Sequence, residues 1–190
     1  MLVIMFGHRM YRGKDTAALH LIEKHGFKRF AFADALRYHV GKLYNMSWEQ
    51  LSTELKSVVD TRYNLTPRQI LQDFGREQRN RDPHIWVRQV CEEVKNSGLD
   101  KVVITDFRYP NEYYYTKKSL EDCNARIVTI RIDRPELDDA PLPGAQNESE
   151  LALSDFGEWN HIINNDSSVD DLHKKIEYIY HNINAQFIGS

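Results

Sequence analysis

The residues whose types and spacing could do chemistry begin with a glycine-rich loop near the N-terminus. Residues 7–16 read GHRMYRGKDT, and they stand between an apolar run at residues 2–6 and a stretch of helical spacing. The first N–H groups of a helix have no partner within the helix, so a loop in this place presents hydrogen-bond donors to an anion. We therefore predict that this loop binds the phosphates of a phosphoryl donor through Gly7, Arg12, Gly13, Lys14, Asp15 and Thr16.

This loop departs in two ways from the phosphate-loop pattern G-x-x-x-x-G-K-[ST]. Five residues separate Gly7 from Gly13, and Asp15 stands where a serine or threonine usually meets magnesium. Asp15 and Thr16 still offer the oxygen atoms that Mg²⁺ prefers. Two alternatives stay open: Asp15 as a charge that interacts with the helix dipole, and the loop as a glycine turn that only joins strand to helix, with Lys14 solvated.

Acidic residues also close two later apolar runs. Asp34 follows residues 30–33, and Asp106 follows residues 101–105. Because the carboxyl ends of parallel strands meet at one edge of a sheet, we expect both carboxylates near the loop. Asp106 is a candidate magnesium ligand and a candidate contact to the acceptor, and Arg108 is a candidate contact to the acceptor or to the transferred phosphate. The alternative is an ion pair between Asp106 and Arg108 that caps the next helix.

A cationic helix face is predicted after residue 66, where Thr66 and Pro67 suit the N-cap and the first position of a helix. On one face this helix carries Arg68, Gln72, Arg76 and Arg79. Arginine's planar fork suits phosphate oxygens, so we predict that this face binds the acceptor's phosphate; a solvated face with local ion pairs is the alternative. Trp86 is a candidate for stacking on an acceptor base, although its apolar neighbours also suit a core position.

Strands alternate with helices along the elements that must position these residues. Five strands are predicted at residues 2–6, 30–33, 101–105, 126–132 and 161–164. Helices are predicted from Asp15 or Thr16 to residue 25, across a long region with Trp48, Leu51, Leu55 and Val58 at helical spacing, from residue 67, and over residues 172–183. This order predicts an α/β fold, a three-layer doubly wound parallel sheet with its first strand central.

The chain is expected to form one domain over residues 1–190. Within it we predict a helical insertion at about residues 34–98 that binds the acceptor. A second segment, about residues 134–150, is predicted to be a mobile lid, because it carries Pro135, Pro141, Pro143 and Gly144 together with acidic residues.

Composition narrows the class of protein. Hydrophobic residues make up 41% and charged residues 28% of the chain, as in globular proteins. The net charge of -3 argues against stable nucleic-acid binding. Cys91 and Cys123 show neither metal-site nor disulfide spacing, and no apolar stretch reaches membrane-spanning length. We therefore expect a cytoplasmic protein that does not contact membranes.

Four motifs together resemble those of the bacteriophage-type deoxynucleoside monophosphate kinases. They are GKDT at residues 13–16, FADALR at 32–37, TPR at 66–68 followed by LQ at 71–72, and DFRYPNE at 106–112. The likeness covers most of the chain and continues through SE at 149–150 and INND at 163–166. The combination is far more specific than any single motif.

This resemblance implies a P-loop kinase fold, ATP as donor, Mg²⁺ as cofactor and a deoxynucleoside monophosphate as acceptor. It implies that Lys14 binds the donor's phosphates, that Asp34 and the helix of Arg68 face the acceptor, and that Arg131 or Arg134 enters from the lid. The predicted catalytic residues are Lys14, Arg68, Arg108 and Arg134. If the chain is viral, the expected location is the host cytoplasm.

Three questions stay open at this point. The acceptor could instead be another small phosphorylated molecule of the dephospho-coenzyme A or phosphomevalonate type. A non-catalytic nucleotide-binding module would keep the loop, but it would not need Asp106, Arg108 and the Arg68 face together. A homodimer is also open, because Tyr113, Tyr114 and Tyr115 suit either an interface or internal packing.

Overall fold

One five-stranded parallel sheet organises the chain. The computed structural model describes residues 1–137 and 148–188. Its strands are β1 (Leu2–Gly7), β2 (Lys28–Phe30), β3 (Lys101–Phe107), β4 (Arg126–Asp133) and β5 (His161–Asn164). Their order is β2-β3-β1-β4-β5, and every neighbouring pair runs parallel. The expected α/β class with a central first strand is confirmed.

Helices connect these strands. They are α1 (Lys14–His25), α2 (Phe32–Tyr44), α3 (Trp48–Ser52), α4 (Pro67–Arg81), α5 (Ile85–Ser97), α6 (Pro110–Ser119), α7 (Glu148–Leu151) and α8 (Val169–Ile188). Short 3-10 turns lie at Glu54–Ser57, Glu121–Cys123 and Pro135–Leu137. None of the helices in the described part of the chain combines the length and the apolar character that a membrane span requires.

The alternation of side chains along β1 separates two apolar cores. Leu2, Ile4 and Phe6 pack with α1 and α8 on one face, whereas Val3 and Met5 pack with α2, α4, α5 and α6 on the other. Successive side chains of a strand point to opposite faces, so a continuous apolar run serves a strand that is covered on both sides. The result is the expected arrangement of three layers.

The second strand ends earlier than predicted. β2 stops at Phe30, and Phe32 already begins α2. The N–H groups of Phe32 and Ala33 donate to the two carboxylate oxygens of Asp106, over 2.9 and 2.8 Å. The strand predicted across residues 31–33 is therefore wrong, because a carboxylate from a neighbouring strand satisfies the first N–H groups of a helix there.

The helical region predicted from the spacing of Trp48 to Val58 is also interrupted. α3 ends at Ser52, and Thr53 takes an extended conformation in which its hydroxyl accepts from the Leu55 N–H. Leu51 is buried, but Trp48, Leu55 and Val58 are exposed. The four apolar residues at helical spacing therefore do not form one buried stripe, and the Trp48 side chain is exposed.

Other predicted elements agree with the structure. Thr66 caps α4 by accepting from the Gln69 N–H, with Pro67 in the first position. Of the tyrosines that suit either an interface or internal packing, Tyr113 is buried and Tyr114 is exposed. Of the predicted lid at residues 134–150, the structure describes the two ends, whereas Pro141, Pro143, Gly144 and the rest of residues 138–147 lie outside the described residues.

Candidate active site

A cleft of about 1010 Å³ opens where β1 and β3 end. The phosphate loop contributes Gly13, Lys14, Asp15 and Thr16 to its lining, and the end of β3 contributes Asp106 and Arg108. Asp34 of α2 and Arg134, which follows β4, face the same space. The cleft therefore gathers polar residues from several strand ends, as the sheet-edge argument expects.

The phosphate loop, residues 7–13, is a backbone cradle. His8, Tyr11 and Gly13 have positive φ values of 79°, 60° and 102°. Gly13 is the N-cap of α1 and lacks a side chain that could cap the helix. The first N–H group of α1 with a partner in the helix is that of Ala17, which donates to the Gly13 carbonyl over 3.0 Å. The preceding N–H groups, those of Lys14, Asp15 and Thr16, are the ones that a helix start offers to an anion.

Lys14 crosses this cradle. Its Nζ donates to the carbonyls of His8, over 3.2 Å, and of Arg9, and only 7% of the residue is exposed. Burial, followed by the nearby Arg108 guanidinium, lowers the pKa of Lys14 to about 7. A cation that burial and a neighbouring cation disfavour is stabilised by an incoming anion, so Lys14 is suited to a phosphate group.

Three side chains hold the loop in place. The buried Arg12 guanidinium donates to the carbonyls of Arg134 and, over 3.3 Å, of Leu137. The Asn165 amide donates to the Arg12 carbonyl over 2.9 Å. A carboxylate oxygen of Glu150 accepts from the Met10 N–H over 2.7 Å. Arg12 thus lines the cleft, but its contacts fasten the loop to the chain after β4.

His8 adds a further link at the base of the loop. Its Nδ1 lies 3.1 Å from Asp133 Oδ1, and the same carboxylate oxygen accepts from Arg131 Nε over 2.8 Å. Burial, and then the positive charge of Arg131, lower the pKa of His8 to about 4, so the imidazole is neutral at neutral pH. Arg131 is therefore engaged at the end of β4, whereas Arg134 faces the cleft.

At the end of β3, the two charged residues that were considered as an ion pair have separate partners. Asp106 caps α2, as described above, and the Arg108 guanidinium pairs with Glu150. The following helix, α6, is capped by Glu112, whose Oε2 accepts from the N–H groups of Arg108 and Tyr109 at 2.7 and 3.0 Å. Burial raises the pKa of Glu112 to about 8. The Asp106–Arg108 cap on the next helix is thus not formed.

The opposite end of the cleft is rich in cations. Asp34 accepts from Arg29 and Arg37, at 2.6 and 2.5 Å, and Arg37 lies over the Trp48 ring at 5.8 Å from its centroid. Lys56 lines the same end, and burial, followed by the charges of Arg68 and Arg37, lowers the pKa of Lys56. Several cations therefore face one another where an anion would stabilise them.

The predicted cationic face of α4 does not line the cleft, although one of its residues lies near it. Arg68 donates to Ser57 Oγ over 3.4 Å and acts on Lys56, which places it at the rim. Gln72 is exposed, Arg76 pairs with Asp73 at 2.6 Å, and Arg79 lies over the Tyr109 ring. None of these four side chains lines the cleft that the described residues form.

The packing of α4 explains this correction. A Cβ on Gly75 would lie 3.1 Å from Leu36 Cδ2, so α4 backs closely onto α2. It is α2, together with the chain through α3 and the following 3-10 turn, that faces the cleft. Trp86 is only 4% exposed, and its indole N–H points to the Gly75 carbonyl at 3.5 Å. The structure thus places Trp86 in the core and not at the cleft.

Magnesium fits the oxygen atoms of this cleft. Asp15, Thr16 and Asp106 all line it, and each Asp106 oxygen that caps α2 keeps a free lone pair. Among residues 1–137 and 148–188, no group of three or more His, Cys, Asp or Glu side chains is arranged to hold a metal ion. The two carboxylates and one hydroxyl of Asp15, Asp106 and Thr16 nevertheless suit Mg²⁺, because this ion usually takes one or two carboxylates and completes its shell with waters and substrate phosphates.

Several residues of the cleft were not in the predicted set. Arg37 and Asn165, which line the cleft, and Glu150, which lies buried behind it, belong to motifs that carried the family resemblance, so a signal for them existed. Lys56 and Trp48 had no such signal, because their stretch looked like an ordinary amphipathic helix. Gly7 was predicted to bind phosphate, but it packs at the end of β1, where a Cβ would lie 2.6 Å from both Phe107 and Trp159.

A backbone cradle that a lysine crosses, at the start of a helix, suits a polyphosphate ligand. The chain has the fold of P-loop kinases. It is similar to a protein of Acanthamoeba polyphaga mimivirus named "Putative deoxynucleotide monophosphate kinase", at 29% identity over 185 residues, with 86% of this chain and 88% of that protein covered. The kinase resemblance drawn from the motifs is thereby confirmed.

Solved structures agree on the fold. Shikimate kinase from Aquifex aeolicus matches with a TM-score of 0.51 at 14% identity, covering 100% of each chain. Dephospho-CoA kinase from Campylobacter jejuni matches with a TM-score of 0.50 at 13% identity, covering 96% of this chain and 98% of that one. No family model matches the chain.

Proposed function

We propose that this protein transfers the γ-phosphoryl group of ATP to the phosphate of a deoxynucleoside monophosphate. The observation that carries this proposal is the presence of two cationic centres in one cleft, Lys14 on the phosphate loop and the pair Arg37 and Lys56. Arg108 also faces the space, and Arg68 lies close enough to act on Lys56. A donor and an acceptor that both carry phosphate need two such centres. The name of the viral relative supports the choice of acceptor.

The donor is proposed to bind at the phosphate loop. The N–H groups of Lys14, Asp15 and Thr16 and the Lys14 ammonium contact its phosphates, which replace the loop carbonyls as partners of Lys14. Magnesium, held by Asp15, Thr16 and Asp106 together with the donor, would supply charge neutralisation of the phosphate oxygens. Gly13 keeps the backbone close to the ligand, because it carries no Cβ.

The acceptor is proposed to bind at the opposite end, between α2 and the chain that follows α3, within the predicted insertion at residues 34–98. Lys56, Arg37 and Arg68 neutralise its phosphate. Asp34 orients Arg37 and Arg29, since its carboxylate accepts from both. The exposed face of Trp48 offers a surface for an acceptor base, which is the task first predicted for Trp86.

Transfer itself needs alignment, charge neutralisation and exclusion of water more than it needs covalent help from the protein. Arg108 lines the cleft at the end of β3 and is proposed to neutralise the phosphoryl group as it moves. Arg134 is proposed to enter from the segment after β4, the first part of the predicted lid. The nucleotide substrates fit the expectation of a cytoplasmic protein.

An assay of ADP release across deoxy- and ribonucleoside monophosphates tests this function. We expect turnover on at least one deoxynucleoside monophosphate, and loss of at least about 10³-fold in Lys14→Met, which removes the cation that crosses the cradle. Exposed Lys24→Met serves as the matched control and should retain full turnover. Turnover only on dephospho-coenzyme A or phosphomevalonate would show that the proposed acceptor is wrong. Donor binding without turnover on any acceptor would indicate a non-catalytic nucleotide-binding module.

A further inference from the structure

A buried carboxylate that was not predicted as part of the site joins the phosphate loop to Arg108. Glu150 is 3% exposed. Its Oε2 accepts from the Met10 N–H over 2.7 Å, and its Oε1 pairs with the Arg108 guanidinium. A buried charge is costly unless each oxygen has a partner, and here each partner belongs to a different functional part of the cleft.

We propose that Glu150 is a positioning residue that sets the phosphate loop and Arg108 relative to each other. The loop binds the donor, and Arg108 neutralises the phosphoryl group during its transfer. This assignment rests on the phosphoryl transfer proposed above. Because the Glu150 carboxylate contacts both the loop and Arg108, a displacement of either one shifts the other. Glu150 itself touches neither substrate nor metal in this scheme.

The chain that follows Glu150 is packed into the core, as a positioning role requires. Glu150 lies on α7, and the following residues Leu153 and Phe156 are buried in the core. The Phe156 ring packs edge-on against Phe107 of β3, with ring centroids 5.2 Å apart. The carboxylate is therefore attached to the same strand end from which Arg108 extends.

The Arg108 side chain depends on this contact for its direction. Its backbone N–H is already fixed by Glu112, at 2.7 Å, but that bond leaves the guanidinium free to rotate about the side-chain torsions. Arg108 is partly exposed toward the cleft, whereas Glu150 is enclosed behind it. A guanidinium held from its buried side can present its remaining N–H groups to the substrate.

Glu150→Gln separates the two contacts. The amide keeps an oxygen for the Met10 N–H but loses the charge that holds Arg108, so we expect kcat to fall about tenfold or more while the donor KM stays within about twofold. Glu150→Ala removes both contacts and should raise the donor KM as well. Glu148→Gln, an exposed carboxylate on the same helix, is the matched control and should behave as wild type.

A double-mutant cycle with Arg108→Gln distinguishes positioning from a purely structural role. If Glu150 acts through Arg108, Glu150→Gln should lower kcat by less than about twofold once the guanidinium is gone. Independent, multiplicative losses of kcat would overturn the proposal, as would a Glu150→Gln enzyme with unchanged kcat. Thermal unfolding of each variant shows how much of any loss reflects a smaller folded fraction.

Two further measurements keep the test decisive. If Glu150→Gln does not fold, Glu150→Asp retains the charge but is one methylene shorter and cannot reach both partners; unchanged kcat and donor KM in that variant would refute the positioning role. If wild type turns over no acceptor, the proposed function fails, yet calorimetric binding of a non-hydrolysable ATP analogue still tests the loop contact. Glu150→Ala must then weaken that binding.

Discussion

The side-chain amide of Asn165 occupies the space that a Cβ on Gly13 would need. Such a Cβ would lie 2.6 Å from Asn165 Nδ2, and Gly13 has a φ of 102°. The same amide donates to the Arg12 carbonyl, so it closes the back of the phosphate loop. Loop conformation and the position of the chain after β5 are therefore mutually dependent.

Gly13→Ala should disrupt donor binding more than it disrupts folding. The side chain strains the backbone, at a cost of order 1 kcal/mol, and also displaces Asn165. We expect a donor KM raised about tenfold or more in steady-state kinetics. Gly26→Ala is the matched control: its φ is 72°, but nothing lies within 4 Å of the added Cβ. That variant should lose stability and keep its donor KM.

Donor binding should be accompanied by proton uptake at pH 8. The pKa of Lys14 is lowered to about 7 by burial and by Arg108, so the lysine is mostly neutral at pH 8 in the free protein. A bound polyphosphate favours the ammonium and raises that pKa. Calorimetric titrations with an ATP analogue in buffers of different ionisation enthalpy should therefore show uptake at pH 8 and much less at pH 6.

Lys14→Met supplies the control for this measurement, because it removes the titrating group and leaves the rest of the cleft. Proton uptake at pH 8 that persisted unchanged in Lys14→Met would assign the effect to another group. The wild-type pH dependence follows from the sign of the shift: between about pH 7 and the usual lysine pKa, only the bound form needs the extra proton.

Lys56→Met should raise the acceptor KM about tenfold or more and leave the donor KM nearly unchanged. Lys56 lines the end of the cleft that is proposed to bind the acceptor, and losing a charge-assisted contact to phosphate costs about 1.5–3 kcal/mol. Arg76→Met is the matched control, since Arg76 is exposed and paired with Asp73 away from the cleft. Equal effects of the two substitutions on the acceptor KM would argue against an acceptor site at Lys56.

Acid should remove a stabilising contribution that is centred on Glu177 of α8. Burial alone would raise the pKa of Glu177, but hydrogen bonds from His25, His20 and Lys24 outweigh it and lower that pKa to about 2. A carboxylate with a depressed pKa stabilises the fold above its ordinary pKa and loses that contribution as the pH falls toward 2. Glu177→Gln should therefore reduce the free energy of unfolding at pH 6 more than at pH 3, measured by urea denaturation.

Local patterns were sufficient to predict the framework of this protein. The apolar run of β1, the glycines of the loop and the N-cap pair of Thr66 and Pro67 act within a few residues of themselves, so their spacing alone predicts strand, cradle and helix start. The order of alternating strands and helices then leads to the sheet. These features needed no knowledge of which distant residues would meet.

Tertiary structure decided the contacts that give the cleft its chemistry. Asp106 caps α2 across 73 or 74 residues of chain, and Glu150 meets Met10 across 140. Trp48 is exposed on α3 and lines the cleft, while the packing of α4 on α2 keeps Arg76 and Arg79 away from the cleft. Periodicity predicts which face of a helix is polar, but it does not predict what that face meets, because the neighbour comes from a distant part of the chain.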